Sequence, residues 1–455
     1  MKIIYAFITL GICFSSFALF TSCNKGQIPS DHSVTESFSD YSAENSYNET
    51  QDDSSEDNVA DINESIFSFS ETANGLTITG LMQEVPDLLV PATIGALPVI
   101  EIAETAFADR RELQNVSIAD GVKHIGERAF KNCSSLKTIS LPESVEFIGY
   151  AAFNGCSAIT EISLPFTGER EKIGVALKSY PFGYIFGEEK YSGGAQTVQY
   201  YYDTSLEFVE SAAYYIPKSL KTVSVTGKGE THIPYDAFRN CENLKKITLG
   251  NKIASVGRFA FSCCDAEIVW DNPKIEKIDE YAYADYKGKN LSIPATVKSI
   301  GKCAFEDCEN LKEISVPDGV CDIDIFAFRG CTALTKAVLG NGVKKLGVNA
   351  FYFCTALKDV TLPENIEEIS DSAFMSCKSL ERINLTKNLK IIGKDAFKNC
   401  RKLKSVTFEE TRGWRYYNST TSGEELAQSS AANPSTVAYY LTDRYSDYIW
   451  ERISD

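Results

Sequence analysis

The 455-residue chain is poor in histidine, with only His32, His124 and His232. None belongs to an H-E-x-x-H pattern, and neither a G-x-S-x-G turn nor a Walker-type phosphate loop occurs. The Gly-rich "TGKGET" at 226–231 lacks phosphate-loop spacing and reads as a turn between strands. Carboxylates are plentiful but scattered, without the repeated pairing that acid–base work needs. These absences argue against an enzyme and leave no catalytic residue, metal ligand set or cofactor to name. Positive charge is also scarce: 62 acids against 45 Lys and Arg give a formal charge of -17. Such a balance argues against nucleic acid and against electrostatic adsorption to an anionic membrane.

Long apolar runs are missing except at the start. Ile3 to Phe20 is apolar, but it is short, broken by Ser15-Ser16, and ends in "FTSC". A membrane anchor could begin this way. The ending, however, resembles a bacterial lipobox, with Phe20 where that pattern usually has Leu. Residues 1–22 then read as a lipoprotein signal peptide and Cys23 as the lipid-attachment residue. Residues 23–65 are rich in Ser, Asp, Glu and Asn, and 26–65 hold eleven acids and no Lys or Arg. They cannot bury enough surface to offset ordering, so an acidic disordered tether is expected.

What the rest of the chain has is repetition. Ala-Phe recurs at 106–107, 129–130, 152–153, 237–238, 260–261, 304–305, 327–328, 350–351, 373–374 and 396–397, with Ala282-Tyr283 filling one gap. Successive spacings are 22 or 23 residues, apart from one jump from Phe153 to Phe238. In the unit "FKNCSSLKTISLPESVEFIGYAA", Leu136, Ile139 and Leu141 have the spacing of a half-buried strand. Pro142 cannot donate to a ladder and ends it. Val145 and Ile148 begin a second apolar wall, and Gly149 permits a sharp corner. One unit cannot bury its apolar face alone, whereas stacked units can.

Nine cysteines follow the aromatic anchor by three residues: Cys133, Cys156, Cys241, Cys264, Cys308, Cys331, Cys354, Cys377 and Cys400. Zinc ligands converge in clustered pairs, but these are spread one per unit. Disulfides between neighbouring units are harder to exclude by distance, yet stacked equivalent residues point in parallel, and an odd number cannot pair completely. A ladder of small buried thiols filling the corner under each unit is the expectation.

This unit resembles the BspA-type leucine-rich repeats of bacterial surface proteins, I-G-x-x-A-F-x-x-C-x-x-L-x-x-I-x-L-P, over about residues 76–455. The resemblance implies a leucine-rich-repeat solenoid: a β-rich curved superhelix with a parallel concave sheet and short turns or 3-10 segments on the convex side. It divides the chain into an N-terminal capping repeat (66–106), repeats (107–165), an aromatic-rich irregular unit (166–217), further repeats (218–408) and a C-terminal cap (409–455). It also implies an adhesin on the outer membrane or cell surface that binds host matrix or plasma glycoproteins or other cells. A periplasmic or envelope scaffold binding the bacterium's own components is the competing reading.

Two columns should face the concave side. One runs Asn115, Thr138, Glu161, Thr222, Lys246, Asn290, Glu313, Lys336, Asp359, Arg382 and Ser405; the next, from Ser117 and Ser140 to Thr407, is almost all small. Lys246, Glu313, Lys336, Asp359 and Arg382 are therefore candidate partner-binding residues. The other candidates are Tyr200, Tyr201 and Tyr202, because the irregular unit carries twelve aromatics and tyrosine offers large contact area at low entropy cost. The expected partner is a protein or glycoprotein, with membrane contact through the lipid alone and the chain a monomer.

Replacing Cys23 with Ala should abolish acylation and leave a precursor or a secreted soluble form. Palmitate labelling and detergent partitioning check this; continued acylation of the variant would sink it.

Overall fold

Alternation along the chain sets the local structure. In the strand Thr138–Ser140 the central Ile139 is buried and its neighbours are exposed. Leu136, Val145, Ile148, Ala129 and Phe130 of the same unit are wholly buried. The structure, a computed structural model, describes residues 66–170, 178–202, 209–418 and 423–453. Cys23 and the acidic segment lie outside the described residues.

The units stack as a parallel β-solenoid of about 14 turns with little helix. A long-strand ladder runs in register, pairing Asn115 with Thr138, Thr138 with Glu161, Thr222 with Lys246 and Lys246 with Glu267. It continues as Glu313, Lys336 and Asp359, and then as Arg382 with Ser405. Two-residue strands form a second ladder, in which His124 meets Phe147 and Lys345 meets Glu368.

The third side is a stack of turns that the repeat pattern does not announce. In each unit two residues adopt positive φ, one just before Ala-Phe and one just before the cysteine position. Arg128 (φ 51) and Asn132 (φ 62) show the pattern, as do Asp236 and Asn240, Tyr281 and Asp285, and Asp395 and Asn399. The turns are tied rung to rung: the N–H groups of Arg128, Phe130 and Asn132 donate to the carbonyls of Tyr150, Ala152 and Asn154 at 3.1, 2.8 and 2.7 Å. The corner glycine has another task. A Cβ at Gly149 would lie 2.4 Å from the Glu127 nitrogen, and its φ is not positive, so glycine serves close approach of neighbouring rungs.

Inside, the aromatic anchors form a spine. Phe305, Phe328, Phe351, Phe374 and Phe397 stack at 5.0, 5.1, 5.4 and 5.4 Å between centroids, with interplanar angles of 4, 9, 8 and 13°. The cysteines lie beside it as free, buried thiols. Cys133 Sγ donates to the Phe107 carbonyl at 3.1 Å and Cys156 Sγ to Phe130 at 3.0 Å. The same contact recurs from Cys308, Cys331, Cys354, Cys377 and Cys400. Each of these seven thiols thus fills a corner and also satisfies a buried carbonyl of the preceding rung, whereas Cys264 Sγ points to the Cys241 carbonyl at 3.7 Å. Where Tyr286 replaces the cysteine, its hydroxyl donates to Ala266 at 2.7 Å. A side chain on Gly288 would strike the Tyr286 ring.

Both ends are closed. The hairpin Phe67–Thr72 with Gly75–Leu81 begins the solenoid, and Phe67 packs on Phe107. At the other end Trp414–Tyr417 and Ile449–Arg452 pair antiparallel, and the latter also pairs antiparallel with Ile391–Ile392. The helix Pro434–Tyr439, N-capped by the Asn433 side chain, packs against the last long strand, Ser405–Phe408.

Phe328→Ala should cost about 3–5 kcal/mol, the usual range for a buried Phe truncation. Because each rung touches mainly its neighbours, hydrogen exchange should accelerate first between residues 305 and 351. Uniform loss of protection along the chain would instead mean one cooperative unit.

Candidate binding faces of the solenoid

Lys246, Glu313, Lys336, Asp359 and Arg382 all lie exposed on the long-strand ladder. Strand pairing places Glu313 beside Lys336 and Lys336 beside Asp359, so charge alternates from rung to rung. Neighbouring rungs are about 4.8 Å apart, close enough for opposite charges to stabilise the ladder itself. The pairing adds Glu267 to this column, opposite Lys246, and removes Asn290, which lies in no strand. The reason is local: the unit holding Glu267 (Phe261 to Tyr283) and the unit holding Asn290 (Tyr283 to Phe305) both have the shorter 22-residue spacing. Beside the charged column, Ser117, Ser140 and Ser163 line an open cleft of ≈ 490 Å³ walled by Asp120, Pro142, Glu143 and Thr226. A second cleft of ≈ 500 Å³ is lined by Glu381, Arg382, Lys402, Lys404 and Ser405.

The aromatic-rich segment behaves differently. The long-strand ladder crosses it without a gap, because Glu161–Leu164 pairs directly with Thr222–Val225. On the turn side, residues 182–186 stand in for a rung. Phe153 N–H donates to Ile185 at 2.9 Å, and Phe182 N–H donates to Ala237 at 2.8 Å. Phe186 and Phe182 carry the aromatic spine from Phe153 to Phe238. The antiparallel hairpin Gly194–Tyr202 with Val209–Pro217 docks through Gln199, a residue to which no sequence motif drew attention. Its buried amide accepts from Gly183 N–H at 2.6 Å and donates to the Ala237 and Arg239 carbonyls at 3.0 and 3.1 Å. Sequence reasoning missed it because a lone glutamine carries no pattern.

Tyr200 and Tyr201 engage different partners. Tyr200 lies on the Arg239 guanidinium at 4.2 Å, whereas the Tyr201 hydroxyl donates to Glu210 at 2.8 Å. Tyr202 pairs through its backbone with Val209. Phe166, Tyr180, Phe182, Phe186 and Tyr214 are buried, so these five aromatics are packing residues.

The short turns expected on the convex side carry large aromatic side chains. Phe259, Tyr281, Phe326 and Phe353 occupy positive-φ positions there. Phe259 and Tyr281 stack at 4.9 Å, and Arg258 lies over both rings. Beneath Arg239, burial pushes the Asp236 carboxyl up to about 6, although Arg239 pairs with it at 2.9 Å. The histidines stand apart: His124 meets Phe147 edge-on at 6.3 Å, and His232 Nδ1 is 2.6 Å from Ser255 Oγ. Among the described residues no cluster of His, Cys, Asp and Glu could hold a metal ion.

Stacked turns, two parallel ladders and an aromatic spine define a leucine-rich-repeat solenoid. The chain belongs to the family described as "BspA type Leucine rich repeat region", which matches in six copies across residues 97–175, 207–288 and 276–404, more than half of its length. Among solved structures it is similar to a leucine-rich cell surface protein of Faecalibacterium prausnitzii (22% identity, 76% of this chain and 94% of that one, TM-score 0.29). It is also similar to a leucine-rich repeat protein of Bacteroides ovatus (21%, 75% and 87%, TM-score 0.34) and to the pneumococcal vaccine antigen PcpA (17%, 76% and 83%, TM-score 0.27). No curated protein matches the chain. Proteins of this family are typically found at the cell surface, and leucine-rich repeats generally mediate protein binding. No helix among the described residues is long and apolar enough to cross a membrane.

Asp307 allows a test of turn-side electrostatics. Burial pushes its carboxyl up to about 6 from an ordinary 3.8, with Arg329 pulling the other way. The folded state holds this proton more tightly than the unfolded one. Its stabilisation is therefore full below the ordinary value and is lost as pH rises through about 6. Asp307→Asn, which tolerates the φ of 54, should flatten the melting temperature between acid and neutral pH and raise it at neutral pH. Thermal unfolding across pH checks this; an unchanged profile counts against it.

Proposed function

We propose that this chain is a non-enzymatic cell-surface binding protein, held to the envelope by a lipid on Cys23. It acts as an adhesin toward host matrix or plasma glycoproteins or other cells. The observation that carries the reading is the long-strand ladder. Its in-register strands present exposed charges of both signs at Glu313, Lys336 and Asp359 beside a column of small side chains. Such a surface is preorganised and lets a partner lie close, while mixed charge orients the partner more than it adds affinity. The hairpin that closes the short-strand ladder at one end and the antiparallel strands and helix at the other support a monomer.

Changing Lys336, Asp359 and Arg382 together to Ala should weaken binding to fibronectin or fibrinogen roughly ten-fold at low salt and less at physiological salt, as expected for exposed charges. Tyr201→Ser, which leaves Tyr200 on Arg239, should have little effect. Protease treatment of intact cells should release the repeat domain, whereas an envelope scaffold facing the periplasm would be spared. Full-strength binding by the triple variant, or no binding by the unaltered chain, would overturn the adhesin reading.

A further inference from the structure

The net negative charge conceals one basic stretch. Residues 378–404 hold nine Lys and Arg and only two acids, in a chain whose formal charge is -17. Some of these cations are already paired: Lys390 meets Glu367 at 2.7 Å and Lys398 meets Asp395 at 3.0 Å. Arg382, Arg401, Lys402 and Lys404 are exposed, and among the described residues none of the four has an ion-pair partner. Arg382, Lys402 and Lys404 line the ≈ 500 Å³ cleft together with Ser405 and a single carboxylate, Glu381.

The cleft ends a longer edge. The residue just before each long strand is tied to its counterpart in the preceding rung. The N–H groups of Lys312, Thr335, Lys358 and Lys404 donate to the carbonyls of Lys289, Lys312, Thr335 and Glu381 at 3.2, 2.8, 3.0 and 3.0 Å. Lysine therefore returns on every second rung, at 312, 358 and 404. Two rungs span about 9.6 Å, close to the length of a disaccharide. Lys312 and Lys358 are also exposed and, among the described residues, without an ion-pair partner. The counterparts nearer the N-terminus are engaged. Lys137 Nζ donates to Gln114 at 2.9 Å, Lys221 Nζ to the Lys218 carbonyl at 2.6 Å, and Lys245 pairs with Asp265 at 2.7 Å. Glu313 and Asp359 flank Lys336 in the adjoining column, and from Lys289 to Lys404 the edge itself carries one carboxylate, Glu381.

We propose that this edge, from Lys312 through Lys358 to Lys404 and into the cleft beside Arg382, Arg401 and Lys402, binds a linear sulfated polysaccharide. Sulfate groups stay ionised at physiological pH, and a chain bearing them at disaccharide intervals meets a lysine on every second rung. Release of the polyanion's condensed counter-ions supplies affinity, as it does for nucleic acid. The cleft lining holds no aromatic ring, so it lacks the platform on which single-stranded nucleic acid stacks. The inference deepens the adhesin reading, on which it rests for access to an external ligand, by naming a ligand class.

The probe is a series of heparin oligosaccharides of increasing length, titrated against the full chain at several salt concentrations. Affinity should rise with length until the three lysines are spanned, and fall steeply with salt. Lys358→Ser/Lys402→Ser/Lys404→Ser should lower it roughly ten-fold, the scale of three exposed charge contacts, and flatten the salt dependence. Lys123→Ser/Lys298→Ser/Lys345→Ser removes as much charge beside the short-strand ladder and should leave affinity unchanged. Glu381→Gln, which removes the opposing charge, should raise it. Equal loss in the two triple variants would reduce the effect to net charge and overturn the proposal. So would no binding by the unaltered chain, a disaccharide that binds as tightly as the longest oligomer, or equal affinity for hyaluronan, single-stranded DNA or phosphatidylserine vesicles. The adhesin reading fails separately: fibronectin and fibrinogen are tested on the same preparations, and their failure to bind leaves a positive oligosaccharide result standing.

Discussion

Each rung depends on one hydrogen bond, from the anchor's N–H to a carbonyl of the next rung. Phe130 to Ala152, Phe328 to Ala350 and Phe374 to Ala396 all measure 2.8 Å. The bond sets the rise between units, brings the rings to stacking distance and forces the backbone to turn on either side of the anchor. Two left-handed residues per unit meet that demand. The hairpin insertion obeys the same constraint, because residues 182–186 restore both the bond and the spine before the next regular unit begins.

The cysteines follow from the same bond. An anchor carbonyl buried in the stack accepts the backbone N–H of its own unit's cysteine, as Cys133 N–H to Phe130 at 3.2 Å shows. Its second lone pair would be left unsatisfied in an apolar interior, at a cost of about 1–3 kcal/mol. A thiol is small and apolar enough for the corner and still donates. The Cys331 thiol is pushed well above its ordinary pKa by burial, which keeps it protonated as a donor and poor as a nucleophile.

The outward surfaces have opposite characters. The long-strand face alternates charges and small hydroxyl residues, a pattern that suits solubility as well as recognition. The turn side gathers aromatic rings and arginines, partly because left-handed positions aim their side chains outward, where Phe259, Tyr281 and Arg258 stack on one another. The hairpin, through Gln199 and Tyr200, shows that this side can receive an extended chain.

Sequence alone determined the period, the inward set and the fold class. These follow from apolar spacing, and Ile139, Leu141 and Phe130 are buried where spacing puts them. The exposed column was legible almost entirely, since strands alternate with period two. Glu267 was left out and Asn290 wrongly included because two consecutive units, from Phe261 to Tyr283 and from Tyr283 to Phe305, are one residue short and shift the count. Only tertiary structure decided the left-handed turns, the thiol–carbonyl bonds and the docking of Gln199. Each depends on which groups of a neighbouring rung come within hydrogen-bond reach, and a linear pattern of residue types does not carry that information.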